Sequence, residues 1–140
     1  NAPAVVSTVD SCEMLLKEMD IKNVLERAKH ADIALLGIGQ ISDACTIYQS
    51  KSISKEVLAE LIDKGACASF ASSFLDQSGK EIDVSIKDRM IGLEVSDIQE
   101  IPMKIAVSYG ENKISAIKST LSGRRIDAIV TDLDTAKELI

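Results

Sequence analysis

The sequence is poor in the residues that mark several common functions. Cysteine occurs 3 times and histidine once, and Cys12, Cys45 and Cys67 lie far apart with no CxxC pair. That pattern argues against a disulfide framework and against a zinc site, and it fits a reducing cytoplasm in which the thiols stay free and buried. Basic charge is short too: 16 Lys and Arg stand against 22 Asp and Glu, a net charge of -6, with Arg124-Arg125 as the basic doublet. A DNA-binding surface draws much of its affinity from neutralising phosphates, so this segment is not a DNA-contacting one. Long apolar runs are missing as well. Ile33-Ala34-Leu35-Leu36 and Ala128-Ile129-Val130 fall far short of the roughly 20 residues that a membrane span requires. No basic segment followed by an apolar stretch opens the chain, so no secretory signal is expected, and Asn1-Ala2 is compatible with a cloning remnant. Neither a Ser/His/Asp set nor a Walker loop is present, and nothing in the spacing of Asp32, Asp43, Asp76 and Asp83 pairs two carboxylates for acid/base work. No catalytic residue, metal site or cofactor is assigned.

What is present is a core. With 46% hydrophobic residues over 140 positions, the chain has the size and composition of one globular domain. Leu15, Leu16 and Met19, then Val24, Leu25 and Ala28, recur at helical spacing behind a cap at Asp10-Ser11. Ala31 to Leu36 reads as a strand buried on both faces, as parallel strands are, ending in Gly37-Ile38-Gly39. Ser54 to Lys64 is predicted as a helix with Ser54 as cap, Val57, Leu58, Leu61 and Ile62 as its apolar face and Gly65 as its stop. Cys67 to Leu75 reads as extended, Gln77 to Lys80 as a turn, and Ser96 to Glu100 as a helical turn stopped by Pro102. Met103 to Val107, Asn112 to Leu121, Ile126 to Val130 and Asp134 to Ile140 then alternate strand, helix, strand, helix, with Ile114, Ile117 and Leu121 expected inward. The expected fold class is α/β: an open, mainly parallel sheet with flanking helices and right-handed crossovers.

In open sheets of this kind ligands collect beyond the carboxyl ends of the strands. The loops Gly37 to Gln40, Ser108 to Lys113 and Thr131-Asp132 are therefore the candidates. Gly37 and Gly39 would let a backbone approach a ligand closely, or serve a plain turn; as a dinucleotide fingerprint they fail, because Ser42 stands at the third glycine position. Gly110 precedes Lys113, which is expected in the first turn of a helix, where a cation opposes the dipole. A phosphate held there by free backbone N–H groups and the Lys113 ammonium would turn that conflict into a binding site; a solvated lysine is the alternative. His30 and Asp132 read as helix-end residues rather than ligands.

The succession Ala31 to Gly39, Arg89-Met90-Ile91-Gly92-Leu93, Ile101-Pro102 through Val107, Gly110 with Lys113, Ala116-Ile117 and Ile126 to Asp132 resembles the effector domain of SorC-family bacterial regulators over nearly the whole chain. The resemblance implies a fold like that of ribose phosphate isomerase and glucosamine phosphate deaminase. It also implies that residues 1–140 are the C-terminal portion of a domain that binds a sugar or phosphosugar. Self-association is implied, as is DNA contact only through a helix-turn-helix segment outside this chain. The lysine that family members use at the phosphate falls on Lys113. The acid that contacts sugar hydroxyls falls on Ser69 in Gly65-Ala66-Cys67-Ala68-Ser69, and the Gly-Arg that follows it falls on Ser72-Ser73, so a carboxylate and a guanidinium are replaced by hydroxyls. The expected function is effector sensing. The alternatives are a sugar phosphate isomerase, which shares the fold, and an assembly module with a degenerate pocket.

Overall fold

The computed structural model describes residues 2–140; Asn1, half of the suggested cloning remnant, lies outside them. Helices α1 (Val9–Lys17) and α2 (Met19–Lys29) lead into strand β1 (Ile33–Gln40), followed by α3 (Thr46–Gln49), α4 (Lys55–Asp63), β2 (Ala68–Phe70) and β3 (Ser73–Leu75). Then come α5 (Val95–Gln99), β4 (Met103–Val107), α6 (Ile114–Ser122), β5 (Ala128–Val130) and α7 (Leu133–Leu139). The five strands form one open sheet in the order β3-β2-β1-β4-β5. As expected, the sheet is α/β with flanking helices: β1, β4 and β5 run parallel, and the β2-β3 hairpin extends the sheet antiparallel.

Local chemistry explains most boundaries. The Ser54 hydroxyl accepts from the Val57 N–H at the start of α4, and Gly65 takes φ 78° just beyond its end, so cap and stop are those predicted. The first helical region differs from expectation. Thr8, not Asp10-Ser11, is its cap, with Oγ1 accepting from the Ser11 N–H at 3.1 Å. The chain then leaves the helical region at Glu18 (ψ 129°), splitting one predicted helix into two. His30 ends α2 with Nδ1 2.8 Å from the Glu26 carbonyl oxygen, the helix-end role read for it.

One core cluster packs one face of the sheet against α5, α6 and α7. It includes Ile38, Phe70, Leu75, Ala106, Ile98 and Ile117, with Leu36 and Leu139 against it. A second cluster, including Phe74, Leu58, Leu61 and Ile86, covers the other face of the hairpin with α4. The inward face of α6 is more polar than predicted. Ala116, Ile117, Ser119 and Thr120 are buried, whereas Leu121 is 39% exposed. Small hydroxyl side chains succeed there because each is bonded: Ser119 Oγ donates to the Asp76 carbonyl at 2.6 Å and Thr120 Oγ1 to that of Ala116 at 2.9 Å. Ile62, assigned to the apolar face of α4, is exposed instead.

Strand β1 corrects two expectations. Its glycines are not a turn after the strand but part of it. Ile33 to Gly37 pair in parallel with Met103 to Val107, and Ile38 to Gln40 pair antiparallel with Ala68 to Phe70. Neighbours on both sides hold an extended backbone that glycine alone would not. Nor is the strand buried on both faces: Ile33 is 59% and Leu35 71% exposed.

Candidate functional site

At the carboxyl end of β1 a cleft of about 490 Å³ is lined by Gly39, Gln40, Cys45, Ser69, Asn112 and Lys113, together with the 44–52 segment and Ala71. Three elements deliver the predicted residues to it. Strand β1 delivers Gly39, and hairpin strand β2 delivers its register partner Ser69. The three-ten turn Glu111–Lys113 before α6 delivers Asn112 and Lys113. Gly39 lies in a close approach: a β-carbon placed on it would stand 3.3 Å from that of Ser69.

The Lys113 turn is braced from α7. Asp132 caps that helix, accepting from the Thr135 N–H at 2.7 Å and from its hydroxyl at 2.9 Å. These bonds, led by the Thr135 N–H, hold the Asp132 carboxyl below the usual carboxylate range. Thr135 Oγ1 in turn accepts from the Gly110 N–H at 2.9 Å. Gly110 sits at φ 103°, which a side chain rarely allows, and its carbonyl accepts from the Lys113 N–H at 2.9 Å. Lys113 therefore closes the three-ten turn Glu111–Lys113 that runs directly into α6, so it lies in the first turn of the continuous helical run, as expected. No side chain caps α6 there, but the Lys113 and Ile114 N–H groups already donate to the Gly110 and Glu111 carbonyls, so the ammonium is the group left to meet an anion.

The structure thus brings Gly39, Ser69 and Lys113 to one cleft and separates two other predicted residues from it. Gly110 positions the lysine turn but lines a neighbouring hollow with Glu111, Asp132, Asp134, Glu138 and Lys137, a lining in which carboxylates outnumber the single cation and Lys137 is already paired with Asp134 at 3.0 Å. Gly37 is exposed, two residues down β1 on the same face as Gly39, and a β-carbon there would meet nothing within 4 Å. Gln40 and Asn112 fall inside the candidate loops without a role of their own from sequence, and Cys45 reads there as a buried thiol. Adjacency to Gly39 and Lys113 was the available signal for the first two. Gln40 Nε2 donates to Ser42 Oγ at 3.2 Å, while its buried Oε1 has no hydrogen-bond partner among the described residues. The cleft thus carries one cation and several hydroxyl and amide groups, and among its described lining residues there is no carboxylate and no histidine. Such a lining can hold an anion and read hydroxyls.

A second hollow, of about 520 Å³, lies between α1, α2 and the 92–97 segment. Within it Lys29 pairs with Asp97 at 3.3 Å and with Glu26 at 3.4 Å. Among the described residues no group of His, Cys, Asp and Glu is arranged to hold a metal ion, and no helix is long and apolar enough to cross a membrane.

Comparison with known proteins adds a family. The Sugar-bind family model, described as a sugar-binding domain, matches residues 1–140. The chain is 37% identical over 142 residues to the transcriptional regulator LsrR of Escherichia coli K12, covering 99% of this chain and 45% of that protein. It is 30% identical over 138 residues to the deoxyribonucleoside regulator of Bacillus subtilis, covering 99% and 44%. Among solved structures, a DeoR family transcriptional regulator from Listeria monocytogenes superposes with a TM-score of 0.93 at 29% identity, covering 99% of this chain and 56% of that one. A sugar-binding domain of a transcriptional repressor from Vibrio fischeri gives 0.87 at 26% identity, covering 99% and 55%. The chain spans about half the length of the relatives it matches.

Proposed function

Since the chain belongs to the sugar-binding domain family of SorC-type transcription regulators, we propose that it is the C-terminal portion of an effector-sensing domain that holds a sugar or phosphosugar in the Lys113 cleft. The observation that carries this reading is the meeting of Lys113, Ser69 and Gly39, three sequence-distant residues, at the carboxyl end of β1. Lys113 supplies positive charge for a phosphate. Ser69, with Gln40 and Asn112 beside it, supplies neutral hydrogen-bonding groups for hydroxyls. Ser69 carries no charge, so the phosphate end contributes more of the affinity than the sugar end. In the intact cytoplasmic regulator, the effector would favour one quaternary arrangement over another through its differential affinity. DNA binding by a segment outside these residues would shift accordingly.

The test is thermal denaturation of the intact protein with a panel of phosphosugars, their parent sugars and inorganic phosphate. A phosphosugar is expected to raise the melting temperature of the wild type and to lose that effect in Lys113→Ala. If nothing in the panel raises it and Lys113→Ala changes nothing, the reading fails. Turnover of a phosphosugar would favour the isomerase alternative.

A further inference from the structure

Gln40 ends β1 with an unmet demand. Among the described residues two buried side-chain atoms lack a hydrogen-bond partner, Gln40 Oε1 and Thr131 Oγ1, and Gln40 is the one that lines the Lys113 cleft. Buried polar groups are otherwise bonded almost without exception, because an acceptor taken out of water and left unpaired carries its full desolvation cost. The other end of the amide is held: Nε2 donates to Ser42 Oγ at 3.2 Å, and that same oxygen accepts from the Ala44 N–H at 3.3 Å. An acceptor fixed in this way calls for a donor, and the cleft is where one can reach it. Gln40 also stands on the Lys113 side of the sheet. It follows Ile38 by two residues, so alternation puts both on the side where Ile117 of α6 packs, and α6 is entered through the turn that carries Lys113. Ser69, the register partner of Gly39, belongs to the opposite side.

Resting on the sensing reading above, we propose that Gln40 selects the effector at its sugar end: Oε1 accepts a hydrogen bond from one hydroxyl of a phosphosugar whose phosphate lies at Lys113. The chemistry of the two neutral groups separates their parts. A serine hydroxyl rotates and either donates or accepts, so Ser69 adapts to whatever stands opposite it. An amide oxygen only accepts, and Gln40 therefore demands an O–H or an N–H. An ammonium would also satisfy the oxygen, but the described lining of the cleft holds a cation and no carboxylate, which favours a neutral hydroxyl. A site that sets out a buried acceptor for a hydroxyl rejects the analogue lacking it, because the acceptor is then left unpaired again. Discrimination among phosphosugars accordingly falls on Gln40, while Lys113 supplies affinity common to all of them.

The test is calorimetric titration of the intact protein with the tightest-binding phosphosugar of the thermal panel, each of its monodeoxy analogues, and inorganic phosphate. Wild type is compared with Gln40→Met, which keeps the length of the side chain and removes the acceptor. On the wild type, one monodeoxy analogue is expected to bind roughly 10-fold more weakly than its parent. In Gln40→Met the parent should fall to about the affinity of that analogue, the analogue should lose nothing further, and inorganic phosphate should bind as before. The unliganded variant should melt no lower than the wild type, since the unpaired acceptor is gone. A lowered melting temperature with parent, analogues and inorganic phosphate weakened alike would make Gln40 a structural residue and overturn the proposal. Unchanged affinity for the parent in Gln40→Met overturns it as well, and so does a wild type that binds every monodeoxy analogue as tightly as the parent. If no phosphosugar binds the wild type, the sensing reading falls and this assignment with it, whereas phosphosugar binding that is blind to Gln40 removes this assignment alone.

Discussion

Gly39 and Ser69 face one another across the antiparallel pair of β1 and β2, and the space between them is the width of one missing methyl group: a β-carbon on Gly39 would lie 3.3 Å from that of Ser69. The floor of the cleft is set by that closeness. Gly39→Ala is therefore expected to push Ser69 aside. The φ of Gly39 lies outside the left-handed region, so the strain is a packing one, about 1 kcal/mol of stability. The larger effect should appear as a loss of phosphosugar affinity, read by calorimetric titration of the intact protein. Unchanged affinity with a lowered melting temperature would make Gly39 a packing residue only.

Lys113→Ala should weaken phosphosugar binding by roughly 10- to 100-fold, the size of a charge-assisted hydrogen bond of about 1.5 to 3 kcal/mol. Stability of the unliganded protein should barely move, because Lys113 forms no ion pair among the described residues. Lys113→Arg should retain part of the binding. Equal weakening toward phosphorylated and unphosphorylated sugars would contradict a phosphate role.

Gly79→Ala is expected to be the most damaging small substitution near α6. Gly79 sits at φ 79°, and a β-carbon there would lie 2.4 Å from Gly123 Cα and from the Ser119 carbonyl oxygen. Its own carbonyl accepts from Arg125 Nε and Nη2 at 3.1 and 3.0 Å. Backbone meets backbone with no flexible side chain to yield, so the cost should reach about 3 kcal/mol in urea unfolding. A cost below about 1 kcal/mol would show that the turn moves away freely.

Acid should reveal Glu60. Its carboxylate accepts from the Ser85 hydroxyl and N–H and pairs with Lys64, which lowers its pKa from the ordinary 4.5 to about 2. The folded value lies below the unfolded one, so this contribution is full above pH 4.5 and is lost as pH falls toward 2. Glu60→Gln should therefore be less stable than wild type at neutral pH, with the gap closing over that window. A gap independent of pH would mean that shape rather than charge is what Ser85 requires.

Several elements were legible because they depend on neighbours in sequence. Ser54 and Gly65 bound α4 by local hydrogen bonding and a left-handed stop, Asp132 caps α7, and Met103 to Val107 is the strand its apolar run predicts. The break at Glu18 and the shift of the cap to Thr8 were not legible, since the apolar spacing continues across the break. Gly37 and Gly39 look like a turn in sequence, and only flanking strands on both sides show that they are not one.

The sequence by itself determined the α/β order, the family, and Lys113 and Ser69 as residues to watch, because periodicity, caps and motif order are written along the chain. Tertiary structure alone decided that Gly39, Ser69 and Lys113 share a cleft while Gly110 braces it from behind and Gly37 stands outside. It also decided that one face of β1, β4 and β5 lies bare. The physical reason is common to both. Which face of a strand is covered, and which loops meet at its end, depends on pairing and crossover between segments tens of residues apart, and the apolar run of a strand reads the same whether its second face is covered or not.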